Sequence, residues 1–140
     1  MKLLAAILLT VFFNAATCFA ACTEATQTST LTFTMVTQGA SGTYVISPTD
    51  PGAAEVVVSG ETQGANITPS VADNGGKICL QSTSTCLTVG AHTVSPNVPT
   101  PAGADGKVTV KIGATVTVNP DSPAGTYTGT PSKAVFTCQE

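Results

Sequence analysis

Residues 107–118 read KVTVKIGATVTV, and this stretch decides the fold class. Val108, Val110, Ile112, Ala114, Val116 and Val118 take the even positions, while Lys107, Thr109, Lys111, Thr115 and Thr117 take odd ones. Successive side chains of an extended chain point to opposite faces. One face of this segment is therefore apolar and the other wet. A helix would scatter the same residues around its axis, because its period is about 3.6. Eleven alternating residues at about 3.3 Å each make a strand of roughly 35 Å, long for an ordinary sheet. Gly113 at its centre predicts a bulge or bend where the strand passes from one sheet to another.

The alternation extends outward from there. Leu31, Phe33 and Met35 alternate with Thr32 and Thr34. Residues 44–46 form a short strand, and the apolar run Val56, Val57, Val58 suits a central one. Ile67 and Val71 flank a weaker strand broken by Pro69. Ile78 and Leu80 face one way around Cys79, and Leu87 and Val89 follow Cys86. The last strand spans residues 133–138, with Ala134, Phe136 and Cys138 on one face. Gly, Pro, Asp and Asn cluster at 39–42, 48–52, 73–76, 105–106 and 119–125, where they preset turn dihedrals or cap turns. Residues 94–106 (VSPNVPTPAGADG) read as an exposed loop. No helical period appears. The pattern predicts an all-β antiparallel sandwich of about seven to nine strands.

The first twenty residues stand apart. Lys2 is followed by the apolar run 3–13 (LLAAILLTVFF) and then by small residues ending at Ala20. This is the layout of a secretory signal peptide. An apolar core of eleven residues falls short of the roughly 20 needed to span a bilayer, and no later segment is apolar enough to span. The expected organisation is a signal peptide at 1–20 and a single domain at 21–140, secreted to the cell surface, the medium or the periplasm. Cleavage after Ala20 removes Cys18 and leaves Cys22, Cys79, Cys86 and Cys138, the even count that a disulfide framework requires. The competing reading takes 19–22 as a lipoprotein box with Cys22 acylated, for which Phe19 is a poor fit.

Cys79 and Cys86 bracket six polar-leaning residues and read as a disulfide closing a hairpin. Redox pairs are usually spaced by two residues, so the wider spacing argues against that chemistry. By elimination Cys22 pairs with Cys138, although four cysteines allow three connectivities. A bond from Cys22 to a neighbouring subunit is the alternative.

Composition narrows the function. Only 9% of residues are charged, Arg and Trp are absent, and His92 is the one histidine. Nucleic-acid binding needs clustered Lys and Arg against phosphate. A nucleophilic triad would have to use His92, which lies beside the apparent turn at Gly90 and Ala91 with no acid near it in sequence. Asp50, Asp73, Asp105 and Asp121 sit beside turn residues and read as turn caps rather than cation ligands. Asn66-Ile67-Thr68 matches a glycosylation acceptor, a pattern that arises readily by chance in a chain with 25 Thr. These readings predict no catalytic residues, no metal, no cofactor and no enzyme.

Leu31, Phe33 and Met35 follow a polar arm at residues 23–30. The plain expectation is a first strand packed in its own domain. The alternative makes these three the residues of a strand that inserts into a neighbour's sheet edge.

The C-terminal third, KVTVKIGATVTV at 107–118 followed by SPAGTYTG at 122–129 and a closing strand, resembles a family of small secreted bacterial domains of unknown function. The front is similar too, in LTF at 31–33 and GTYVISP at 42–48, as is AAEVVVSGETQGANITP at 53–69. Such domains look like the immunoglobulin-like subunits of fimbriae and of spore-coat-U-type pili. The resemblance implies an immunoglobulin-like sandwich acting as a structural or adhesive surface subunit. Its partners would be further copies or other surface subunits, helped by an assembly chaperone. No catalytic residues carry over. The chain departs from usher-assembled pilins in its FTCQE ending, and from the mostly cysteine-poor members of the resembled family in its four mature cysteines. The alternative function is a monomeric periplasmic or extracellular module that binds carbohydrate or protein.

Overall fold

The computed structural model describes residues 7–11, 24–35, 37–59, 63–71, 76–129 and 134–139. Among them the chain forms twelve strands and no helix: β1 (Ile7–Val11), β2 (Glu24–Ser29), β3 (Leu31–Met35), β4 (Gly42–Ile46), β5 (Ala54–Ser59), β6 (Asn66–Val71), β7 (Gly76–Leu80), β8 (Cys86–Ser95), β9 (Thr100–Pro101), β10 (Val108–Val118), β11 (Gly125–Gly129) and β12 (Ala134–Gln139). All ladders are antiparallel. The architecture is an antiparallel β-sandwich approaching a barrel. Three strands take the count past the sequence expectation: β1, β2 from the polar arm, and the two-residue β9 in the stretch read as a loop.

One sheet has the order β2-β5-β10-β8-β7-β11-β3, with β4 also on β10; the other runs β1-β12-β6-β9. The two ends of the larger sheet, β2 and β3, are consecutive in the chain and separated only by Thr30. That short joint forces the sheet to curl back on itself. Across the gap the Thr32 N–H donates to the Gly52 carbonyl at 2.8 Å. A Cβ on Gly52 would lie 2.2 Å from the Thr32 carbonyl oxygen, so only glycine permits this approach.

β10 organises the core. Val108, Val110, Ile112, Ala114, Val116 and Val118 are all buried, and Thr109, Lys111 and Thr117 are exposed, as the alternation requires. Each fully buried Val or Ile stabilises the fold by about 1.5–3 kcal/mol relative to exposure. One edge of β10 pairs with β8 from Lys111 to Thr117, with a register shift between Gly113 and Thr115. The other edge is divided. Val108 to Ile112 pair with β5, and Ala114 to Val118 pair with β4. Gly113 sits at the division, where a Cβ would lie 2.2 Å from the Ile46 carbonyl oxygen and 2.8 Å from Pro48. The irregularity lies beside Gly113 but on the partner strand, where Ala91 and His92 of β8 stand opposite Ala114 alone. Both halves of β10 nevertheless remain in one sheet; it is the partner strand that changes.

Other details differ from the alternation pattern. β6 runs unbroken through Pro69, with Ile67 and Pro69 buried and the β12 ladder intact across it. His92 is not at a turn but inside the ten-residue β8, just after Ala91, whose φ of 44° marks the bulge opposite Ala114. The turn-like Gly90 and Ala91 thus mark an irregular strand. Ile67 joins the smaller sheet to the common core, where it packs with Leu31, Ile78, Leu87, Ile112 and Tyr127 among others.

Candidate functional site

The acids act locally. The Asp50 carboxylate accepts from the Ser47 N–H at 2.8 Å, and that of Asp105 accepts from the Lys107 N–H at 3.2 Å. Both cap turns, as the sequence suggests, while Asp73 lies outside the described residues. Among the described residues no group of three or more His, Cys, Asp or Glu converges.

Cys79 and Cys86 form a disulfide between directly paired residues of β7 and β8, with Cα atoms 4.0 Å apart. The hairpin beyond it is held by Leu80 N–H to Thr85 carbonyl at 2.8 Å and Ser84 N–H to Leu80 carbonyl at 2.9 Å. In the second candidate pair, Cys22 lies outside the described residues, and Cys138 belongs to β12.

Leu31, Phe33 and Met35 lie on β3, which pairs with β11 of its own domain. Leu31 and Met35 are buried in the common core, and the half-buried Phe33 packs against it. The Phe33 ring meets that of Tyr44 on β4 with centroids 5.4 Å apart.

Three surface features remain. The first is the edge of β4. Among the described residues β4 pairs only with β10, and its residues 42–45 are exposed. Tyr44 is 39% exposed and Val45 is 70% exposed. The segment GTYVI carries no charge and no proline, the devices by which edge strands are normally protected from pairing. The second feature is the outer side of β12, on which β1 lies in the register Ile7 to Cys138 through Val11 to Ala134. β1 falls within the residues read as a leader. The third is an open groove of about 490 Å³ lined by Gln27, Thr28, Ser29, Thr30, Thr32 and Pro51, at the joint between β2 and β3. Thr28 there donates to the Glu55 carboxylate at 2.9 Å, and Gln27 Nε2 donates to the Ser29 carbonyl at 2.9 Å.

Tyr127 lies in the SPAGTYTG motif at 122–129. It is fully buried on β11, and its hydroxyl donates to the Pro123 carbonyl at 2.6 Å. The contact has the form of a tyrosine corner, a buried hydroxyl bonded to a backbone carbonyl four residues upstream. The Pro-Ala-Gly-Thr-Tyr spacing was the available signal for it.

Residues 16–135 match the family described as a domain of unknown function, DUF4402. The chain belongs to this family. No curated protein and no solved structure matches it. The DUF4402 match runs from residue 16, within the expected leader, into β12, and so takes in the divided pairing of β10, the disulfide hairpin and the β4 edge. No helix among the described residues of this DUF4402 chain is long and apolar enough to cross a membrane.

Proposed function

We propose that this DUF4402 chain is a secreted structural or adhesive surface subunit that assembles by β-strand addition, with no catalytic role. The observation that carries the reading is the β4 edge: a strand paired on one side among the described residues, uncharged, with Val45 70% exposed. An edge of this kind offers backbone donors and acceptors to a strand of another chain, and its side chains add apolar contact. The leader pattern and the Cys79–Cys86 disulfide support export to an oxidising compartment. The partners are further copies or other surface subunits, with an assembly chaperone escorting the chain. Sizing the processed chain, purified from an oxidising compartment, tests this. Heat-resistant multimers or fibres agree with it, and a monomer at high concentration contradicts it.

The second reading is a monomeric binding module for carbohydrate or protein, favoured by the hydroxyl- and amide-lined groove at Gln27 to Thr32. Its lining includes no aromatic ring, which leaves sugar stacking without a platform. Saturable glycan binding by a stable monomer would select it.

A further inference from the structure

The placement of β1 is the least ordinary feature of the fold. Its sequence, ILLTV, lies in the apolar core of the expected leader, yet it completes a sheet. β12 is flanked by β6 on one side and by β1 on the other. Removal of the leader opens the β1 side of β12 along residues 134–138. We propose that this opened side of β12 receives β4 of a second copy of the chain, and that β1 covers it until the leader is cleaved. The proposal rests on the subunit reading above and names the two edges that meet.

Three observations select β4 as the incoming strand. First, β1 shows what the edge takes: five uncharged residues running antiparallel to β12. β4 is also five uncharged residues, exposed along most of its length. Second, the other strands at sheet ends fit less well. β3 has its outer side engaged by Gly52, β9 has two residues, and β2 carries Glu24 and is polar throughout apart from Ala25. Third, β4 and β12 belong to different sheets of the sandwich. A contact from β4 to β12 is therefore heterologous. Each copy fills its neighbour's edge and leaves its own β12 for the next, so the contact propagates as an open filament wherever the rotation between copies does not close. A β4-to-β4 contact would close on a two-fold axis and stop.

The test compares three proteins at matched concentration in oxidising buffer by light scattering and negative-stain imaging. They are the processed chain from an oxidising compartment, the full chain made by cell-free synthesis so that the leader stays attached, and that full chain carrying Leu9→Pro. Proline fixes φ and is disfavoured inside a paired strand, so in the middle of β1 it releases the strand. The expected results are filaments from the processed chain, loss of filaments when the leader is retained, and their return with Leu9→Pro. A full chain that forms filaments as readily as the processed one overturns the β12 assignment and leaves the subunit reading standing. So does a Leu9→Pro chain that stays monomeric. A processed chain that is itself monomeric overturns the subunit reading and this proposal together. Because an apolar leader can also aggregate without order, Val45→Lys in the processed chain supplies an independent readout. Filaments are lost at an unchanged thermal midpoint if β4 is the incoming strand; filaments that persist overturn that role.

Discussion

The hydroxyl of Tyr127 donates to the carbonyl oxygen of Pro123, four residues upstream, at 2.6 Å. The ring is fully buried between the sheets, so this bond satisfies a polar atom that has no access to water. It also ties the turn after β10 to the start of β11. Tyr127→Phe keeps the ring and removes the donor. We expect a loss of about 1–2 kcal/mol in urea unfolding with little change in slope. An unchanged midpoint would show that the corner contributes nothing to stability.

Gly113 marks the point where the partner of β10 changes from β5 to β4. A methyl group there meets backbone, at 2.2 Å from the Ile46 carbonyl oxygen, and the rigid ring of Pro48 at 2.8 Å. Neither neighbour can rotate away. Gly113→Ala should cost about 2–3 kcal/mol, in the range of core overpacking, and should loosen β4 in particular. Hydrogen exchange checks the second part, with faster exchange expected at residues 42–46 than at β7.

Ile112 is fully buried one residue earlier. Ile112→Ala leaves a cavity between the sheets and should destabilise the domain by about 2–5 kcal/mol. The larger effect should come from this site rather than from Thr109→Ala on the exposed face of the same strand, which should stay within about 0.5 kcal/mol. Chemical denaturation of both variants decides it.

Replacing both Cys79 and Cys86 by Ser removes the link across the β7–β8 hairpin. The loop it closes has eight residues, for which the chain-entropy model gives about 2.5 kcal/mol. Reduction should cost the wild-type protein more than it costs the double variant, by a similar amount. Thermal unfolding with and without dithiothreitol makes the comparison.

The physical origin of each signal explains what could be read from the chain. The alternation at 107–118 located β10 and its buried face because a half-buried strand writes its environment into every second residue. The Cys79–Cys86 hairpin was legible because its two cysteines end strand-like segments across a polar tip. Glu24–Ser29 carries no such mark: β2 is polar on both faces, and only its place beside β5 makes it a strand. Pro69 misled for a related reason, since the β12 ladder and the burial of Ile67 outweigh one missing donor. Gly90 and Ala91 resembled a turn because a bulge and a turn make the same demand for unusual φ. The features behind the functional proposal were the least visible. An open edge such as that of β4 depends on which strands lie beside it, and sequence periodicity contains no information on strand order.

The most direct measurement is the mass and shape of the processed chain in oxidising buffer as its concentration is raised. Assembly by strand addition predicts mass that grows with concentration and heat-resistant fibres in negative stain. A single species of monomer mass across the whole range would contradict it.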